Sequence, residues 1–331
     1  MRAIVTGGAG FIGSHLCERL LADGHSVAVI DNLACGRREN LRFAEGSQRL
    51  ALHVLDVRDA AAVTEVVTGA DWVFHLAGLA DIVPSIERPS DYFETNVRGT
   101  LSVLEAARLA GVRRFVYAAS SSCYGVPNTY PTPETAPALP EYPYALTKYQ
   151  GEQLVLHWSK VYGLPALSLR LFNVFGPRSR TTGAYGAVFG VFLAQKLAGK
   201  PLTVVGDGTQ KRDFTYVTDV VDAFVRAAES DLRGEAFNVG TGNPQSVNRL
   251  VELIGGERVH IPKRPGEPDQ TCADVGKIAR GLGWRARTPF ETGVAALLSR
   301  IEDYRDAPVW DPSGIERATR AWFEHLSPAA K

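Results

Sequence analysis

The sequence predicts an α/β protein, a doubly wound parallel sheet joined to a smaller, discontinuous α/β lobe. Three observations predict it. Short apolar runs recur at residues 2–5, 27–30, 50–55, 72–76 and 115–119. The stretches between them, such as 14–22, 60–68 and 94–109, carry helical spacing instead. Strands that alternate with helices are joined by crossovers, and crossovers make neighbouring strands parallel. Finally, 45% hydrophobic residues in a chain of 331 supply a core large enough for one big sheet or two lobes.

Composition also excludes several classes. Lys plus Arg equals Asp plus Glu at 36 each, so no net field draws the chain to nucleic acid or to an anionic membrane. No segment approaches the 18 or so uninterrupted apolar residues of a membrane span, and no basic region precedes an apolar run at the start. Cys17, Cys35, Cys123 and Cys272 are widely spaced with no CxxC pair, so neither a metal site nor a redox motif is expected. Free thiols in a reducing compartment, the cytoplasm, are the expectation.

In chain order, the first strand feeds directly into Thr6-Gly7-Gly8-Ala9-Gly10-Phe11-Ile12-Gly13, and a helix comes next. Gly7, Gly10 and Gly13 allow a tight turn, close approach of a pyrophosphate to backbone N–H groups, and close helix packing on the sheet. This is the pattern of a Rossmann-type nucleotide-binding half. The second strand ends in Asp31, an acceptor for adenosine ribose hydroxyls and a repellent to a 2′-phosphate, which argues for NAD over NADP. Arg37 and Arg38 follow close behind, and either could serve a phosphate or simply lie in a solvated loop. Other strand ends carry Asp56-Val57, Leu76-Ala77-Gly78 and Ser120-Ser121-Ser122, all on the edge where such sheets bind ligands.

A Pro-rich loop over 127–143 leads into Tyr144-Ala145-Leu146-Thr147-Lys148 at the start of a helix. Four residues apart, the phenol and the ammonium leave one helix face. A cation there is expected to lower the Tyr144 pKa from about 10 and make it a general base. An amphipathic helix with one inward aromatic has the same spacing, so the rest of the chain decides.

Taken together, the glycine loop, Asp31, Asp56-Val57, His75-Leu76-Ala77-Gly78, Asn96, Ser120, Tyr144 and Lys148 resemble an extended short-chain dehydrogenase/reductase of the nucleotide-sugar epimerase and dehydratase type. The resemblance implies NAD held by Gly7, Gly10, Phe11, Ile12, Gly13, Asp31 and Asn32, with Asp56 and Val57 flanking the adenine. Leu76, Ala77, Gly78 and Phe172 line the cofactor, and Asn96 supports the helix that carries the site. Ser120 and Tyr144 are implied to contact the sugar hydroxyl, and Lys148 the nicotinamide ribose.

For the substrate it implies Asn173 at the diphosphate, with Arg212 and Arg264 as its anchors. A guanidinium fork suits phosphate oxygens. Segment 183–189 meets the nucleoside through Ala187 and Val188, and the strand at 203–206, with Thr203, brackets the base. Ser122, Glu267 and Thr271 complete the implied substrate set. Residues 1–173 form the NAD domain, with 213–240 returning to it, and 174–212 and 241–331 form the substrate lobe. Helices near 96–109 and 144–160 resemble the pair that builds a homodimer. The pattern fades after Gly283-Trp284, and the capped helix at 311–326, with Ile315, Ala318, Trp322 and Phe323 on one side, is assigned to packing.

Within that family the branches differ in the step after oxidation at C4. Dehydratases use an Asp and a Glu directly after the residue matched by Ser120, and the decarboxylating branch uses a Glu in the same loop; here stand Ser121 and Ser122. A UDP-hexose 4-epimerase needs no further acid or base. Ala118-Ala119-Ser120-Ser121-Ser122 with Tyr124-Gly125 is similar to epimerases acting on UDP-N-acetylhexosamines, and Thr271 is small where strict hexose enzymes carry Tyr. The alternatives are an NDP-sugar 4-dehydrogenase or dehydratase, and a regulatory NAD-binding protein of the same fold. Cys123 is read as a small core residue and His75 as a satisfied core histidine.

Overall fold

Apolar residues on both faces of the strands organise the first half of the chain. In the computed structural model, which describes residues 1–179 and 186–327, the opening strands are β1 (Arg2–Thr6), β2 (Ser26–Ile30), β3 (Leu50–His53), β4 (Trp72–His75), β5 (Arg114–Ser120) and β6 (Ala166–Leu171). Between them run α1 (Phe11–Ala22), α2 (Ala60–Val67), α3 (Ile82–Glu87), α4 (Pro89–Phe93), α5 (Gly99–Ala110) and α6 (Pro143–Tyr162). Alternation along β1 sends Ala3 and Val5 to one core, beneath Leu16 and Leu20 of α1, and Ile4 to the other, beneath Val63, Val103 and Val155. Both faces are therefore covered, as a parallel sheet requires.

The second half continues with β7 (Asn173–Phe175), α7 (Val188–Leu197), β8 (Leu202–Val205), β9 (Lys211–Arg212), β10 (Phe214–Tyr216), α8 (Val217–Glu229) and β11 (Glu235–Val239). Then come β12 (Gln245–Ser246), α9 (Val247–Ile254), β13 (Arg258–Ile261), α10 (Gly276–Leu282), α11 (Phe290–Leu298) and α12 (Pro312–Leu326). The main sheet has seven strands in the order β11-β6-β5-β4-β1-β2-β3, every pair parallel. Strand order reverses between β1 and β4, so their carboxyl ends open a crevice at the switch point.

The smaller lobe has its own aromatic core. Phe175 stacks on Phe189 at 4.6 Å, and Phe214 on Phe290 at 5.2 Å. Strand β11 pairs with β6, while Val220, Val221 and Phe224 of α8 join the first core, so the chain leaves the lobe and returns to the sheet. It does so a second time, since Ile278, Leu282 and Trp284 also lie in the first core and α10 sits with the sheet.

Two local features depart from the expected pattern. Helix α1 begins at Phe11, three residues earlier than apolar spacing alone indicates, because its first turn grows straight out of the glycine loop. The helix expected over 94–109 opens with a π-turn, Glu94–Arg98, before α5. Such single wide turns concentrate at functional positions. Among the described residues, no helix is long and apolar enough to cross a membrane.

Candidate active site

The glycine loop crosses from β1 to α1 against the end of β4. Gly7 has φ +69°, and a Cβ there would lie 2.7 Å from the Ala77 nitrogen, so only glycine lets the two strand ends meet. A Cβ on Gly13 would lie 2.2 Å from the Gly7 carbonyl oxygen. Helix α1 has Gly10 as its N-cap, no side-chain cap and no acidic residue in its first turn. The N–H groups of Phe11, Ile12 and Gly13 and the positive end of the helix are thus left for an anion.

Asp31 is buried, and its carboxylate accepts the Ala9 N–H at 3.0 Å and the Leu33 N–H at 2.8 Å. Burial pushes its pKa up despite those two bonds. It therefore ties the glycine loop to β2 as well as standing where a ribose is expected. Asn32 donates to Asp56 at 3.0 Å, and Arg58, with help from Asn32, holds the Asp56 carboxyl down at about 2. Val57 is buried beneath Gly99, where an added Cβ would come within 2.7 Å of its Cγ2.

At the end of β4, the Ala77 N–H donates to Thr6 Oγ1, whose own proton goes to His75 Nδ1 at 2.6 Å; His75 Nε2 meets Thr100 Oγ1 at 2.9 Å. Burial lowers the His75 pKa to about 3, so the ring stays neutral, a satisfied core histidine as expected. Asn96, in the π-turn, accepts the Leu79 N–H at 2.8 Å and donates to the Leu79 carbonyl at 3.0 Å and to Thr147 Oγ1 at 3.1 Å. One amide thereby joins the β4 loop to the helix carrying Tyr144 and Lys148.

The Tyr–Lys pair behaves differently from the expectation. Burial raises the Tyr144 pKa above its ordinary value, and the group that pulls it down is Ser120, through a hydrogen bond. Lys148 Nζ lies over the Tyr117 ring, 4.3 Å from the centroid, and burial depresses its own pKa to about 7. With Lys148 facing a different ring, Ser120 is the group that lowers the Tyr144 pKa. Ser120 Oγ is also 2.7 Å from Ser122 Oγ, which joins the two expected serines in one hydroxyl cluster.

On the substrate side the structure brings Arg212 and Arg264 together around Glu267, at 2.8 and 3.9 Å. Thr271 Oγ1 accepts the Asp213 N–H at 3.0 Å and donates to Asn173 Oδ1 at 2.9 Å. Phe172 is buried against Cys123, Tyr124 and Ala273. Burial pushes the Cys123 thiol up to about 12, consistent with an inert core residue. Ala187 is exposed at the N-cap of α7 and Val188 begins its first turn, while Gly183 lies outside the described residues. Thr203 corrects the reading: it is buried, and its N–H and hydroxyl are both taken by Gln195, so its side chain holds α7 to β8.

Three residues are missed by sequence reasoning. Asp81, just ahead of α3, is close enough to Tyr144 to raise its pKa. Tyr142 lies parallel to Tyr144, centroids 6.4 Å apart and planes within 8°. Trp322 of α12 meets Tyr142 at 6.0 Å and the Arg264 guanidinium at 5.6 Å. Tyr142 alone leaves a signal, its place two residues before Tyr144; the others are brought in by tertiary packing.

An open helix N-terminus at a sheet switch point, with Ser120 close enough to Tyr144 to lower its pKa and a buried Lys148 one turn on, defines a dinucleotide-dependent enzyme of the short-chain dehydrogenase/reductase type. The chain belongs to the NAD dependent epimerase/dehydratase family, whose model matches residues 3–240. It is 40% identical over 306 residues to the UDP-glucose 4-epimerase of Mycolicibacterium smegmatis, covering 90% of this chain and 97% of that protein. Its structure is similar to that of the Thermotoga maritima UDP-glucose 4-epimerase with UDP-glucose, at TM-score 0.86 and 33% identity over 92% of this chain and 99% of that one. It is similar also to the UDP-N-acetylglucosamine 4-epimerase from Methanobrevibacter ruminantium M1 in complex with UDP-N-acetylmuramic acid, at TM-score 0.85 and 32% identity over 90% and 98%.

Proposed function

We propose that the chain catalyses NAD-dependent 4-epimerisation of a UDP-hexose and also accepts UDP-N-acetylhexosamines. The observation that carries this reading is that Ser120, Tyr144 and Lys148 are all in place while Ser121 and Ser122 stand where expulsion of water needs a carboxyl pair. NAD, when bound, supplies a reversible hydride acceptor. Tyr144 takes the C4 hydroxyl proton and returns it once the 4-keto sugar has presented its other face. Ser120 holds Tyr144 and the reacting hydroxyl in one hydrogen-bond set. Phe11, Ile12 and Gly13 offer N–H groups to the pyrophosphate, Asp31 takes the ribose, and Lys148 is within reach of the Gly78 side of the crevice. Residues 1–173 with 213–240 hold NAD; the 174–212 and 241–331 segments, apart from α10 and Trp284, which lie with the main sheet, hold the nucleotide sugar through Arg212 and Arg264, with Asn173 at the junction between the two parts.

Room for an acetamido group is supported by Thr271, whose short side chain is drawn back onto Asn173 and the Asp213 backbone. The test is incubation of the purified chain with UDP-glucose, UDP-N-acetylglucosamine and GDP- and dTDP-sugars, with products identified by NMR. Epimerised UDP-hexose and UDP-N-acetylhexosamine at comparable rates are expected. Turnover of UDP-glucose far ahead of the N-acetyl sugar would sink the wider specificity.

Replacing Ser120 by Ala is expected to lower kcat about a hundredfold. Because Ser120 is the group that lowers the Tyr144 pKa, its loss moves the acid limb of kcat/KM to higher pH. The pH–rate profile measures this, and an unmoved limb contradicts it.

A second reading, diversion of the 4-keto sugar to another product, is favoured by Asp81, a carboxylate near Tyr144. Removing a negative charge that raises Tyr144 should move the acid limb of the Asp81→Asn variant to lower pH, with the epimer still the product. Net NADH or a 4-keto product released by the parent and lost in the variant would establish diversion instead.

We also propose a homodimer through α5 and α6, supported by the exposed Leu101, Leu109, Leu146, Val161 and Tyr162 on these two helices. Light scattering that gives a monomer mass would remove it.

A further inference from the structure

We infer that Trp322, on the last helix, is a positioning residue of the nucleotide-sugar site: it fixes the diphosphate anchor Arg264 and links it to the catalytic tyrosine through Tyr142. The inference rests on Arg264 being a ligand of the diphosphate, as proposed for this site. Helix α12 lies beyond the residues matched by the family model, and its start is set locally by Pro312 and by Asp311, whose carboxylate caps the Gly314 N–H. Its apolar side carries Ile315 and Trp322 inward, with Thr319 between them.

Trp322 is 4% exposed, yet it does more than fill space. Its indole N–H donates to the Pro265 carbonyl at 2.7 Å, fixing the loop immediately after Arg264. Its ring face receives the Arg264 guanidinium at 5.6 Å, a cation–π contact that restricts where that fork can point. Its other neighbour is Tyr142 at 6.0 Å, which lies parallel to Tyr144. Arg264 also comes within 3.9 Å of Glu267, the carboxylate shared with Arg212. One indole thus touches the group meant for phosphate and the aromatic pair that ends at the base. A long, flexible arginine beside a carboxylate otherwise has several places to rest, and the indole selects one before the ligand arrives.

The test is calorimetric titration of the full chain, loaded with NAD, with UDP as the probe. Trp322→Ala is expected to weaken UDP about tenfold, the size of one cation–π contact with one hydrogen bond. The affinity for NAD is expected to stay at the parental value, and KM for the UDP-sugar should rise by about the factor seen with UDP. Trp322→Phe keeps a ring over Arg264 but loses the N–H to Pro265, and should recover part of the loss. Where the alanine variant fails to fold, judged by NAD binding, the phenylalanine variant carries the test, and a parental UDP affinity in it overturns the inference. Arg264→Ala separates the two claims. If it leaves UDP binding unchanged, the diphosphate reading falls and this inference falls with it. If it weakens UDP while Trp322→Ala does not, only the role of Trp322 falls.

Discussion

A Tyr144→Phe variant is expected to lose about a thousandfold in kcat while binding NAD and UDP as the parent does. The substitution removes one oxygen and keeps the ring that lies parallel to Tyr142, so the surroundings have no reason to move. What disappears is the group proposed to accept the C4 hydroxyl proton, together with the phenol whose pKa Ser120 lowers. Ser120 alone cannot replace it, because a serine hydroxyl is far too weak an acid to exist as a base near neutral pH. NMR turnover assays alongside cofactor titration measure both halves of the expectation. Retained turnover with the phenylalanine in place would remove Tyr144 from the mechanism.

The second large effect lies one turn beyond Lys148. Glu152 is 1% exposed, and its carboxylate accepts from Arg170 at 2.7 Å and from Ser168 at 2.9 Å, both on β6. Arg170 goes on to Tyr124 at 2.7 Å, and Tyr124 donates to Asn238 on β11 at 2.7 Å. Glu152→Ala leaves a buried guanidinium without its counter-charge, which costs about 3–5 kcal/mol. Urea unfolding is the measurement. Because an apolar pair of similar volume removes both charges together, Glu152→Leu with Arg170→Met is expected to lose less than Glu152→Ala alone. A single variant as stable as the parent would show that the pair contributes nothing. In folded Glu152→Ala protein the Lys148 pKa should fall further, since Glu152 is the group that raises it against burial.

The parts of this molecule that can be read from sequence are those set by local backbone rules. The glycine loop, the apolar runs at 2–5, 27–30, 72–76 and 115–119, and the four-residue spacing of Tyr144 and Lys148 depend only on neighbours along the chain. Residues whose meaning depends on distant partners are less legible. Thr203 has the look of a strand residue facing a ligand, yet Gln195 takes both of its polar groups. The sign of the Tyr144 shift is hidden for the same reason: spacing places a cation four residues away, but only packing shows that burial raises Tyr144 and that Lys148 faces Tyr117. Trp322 reads as a packing residue because an amphipathic stripe says which side is inward and not what waits there. The Arg212–Glu267–Arg264 cluster is half visible, as three charged residues without the contact that puts the carboxylate between the two guanidinium groups.

The π-turn at Glu94–Arg98 carries a consequence for engineering. A wide turn holds one more residue than a regular turn, so it lowers local helix stability while aiming Asn96 at Leu79 and Thr147. Deleting a single residue there would restore an ordinary helix and rotate Asn96 away from the two segments it joins. The regained turn is set against three lost hydrogen bonds of a buried amide, so selection for turnover would reject such shortened variants. A library with one-residue deletions across 94–98, selected for turnover, should therefore return only the parental length.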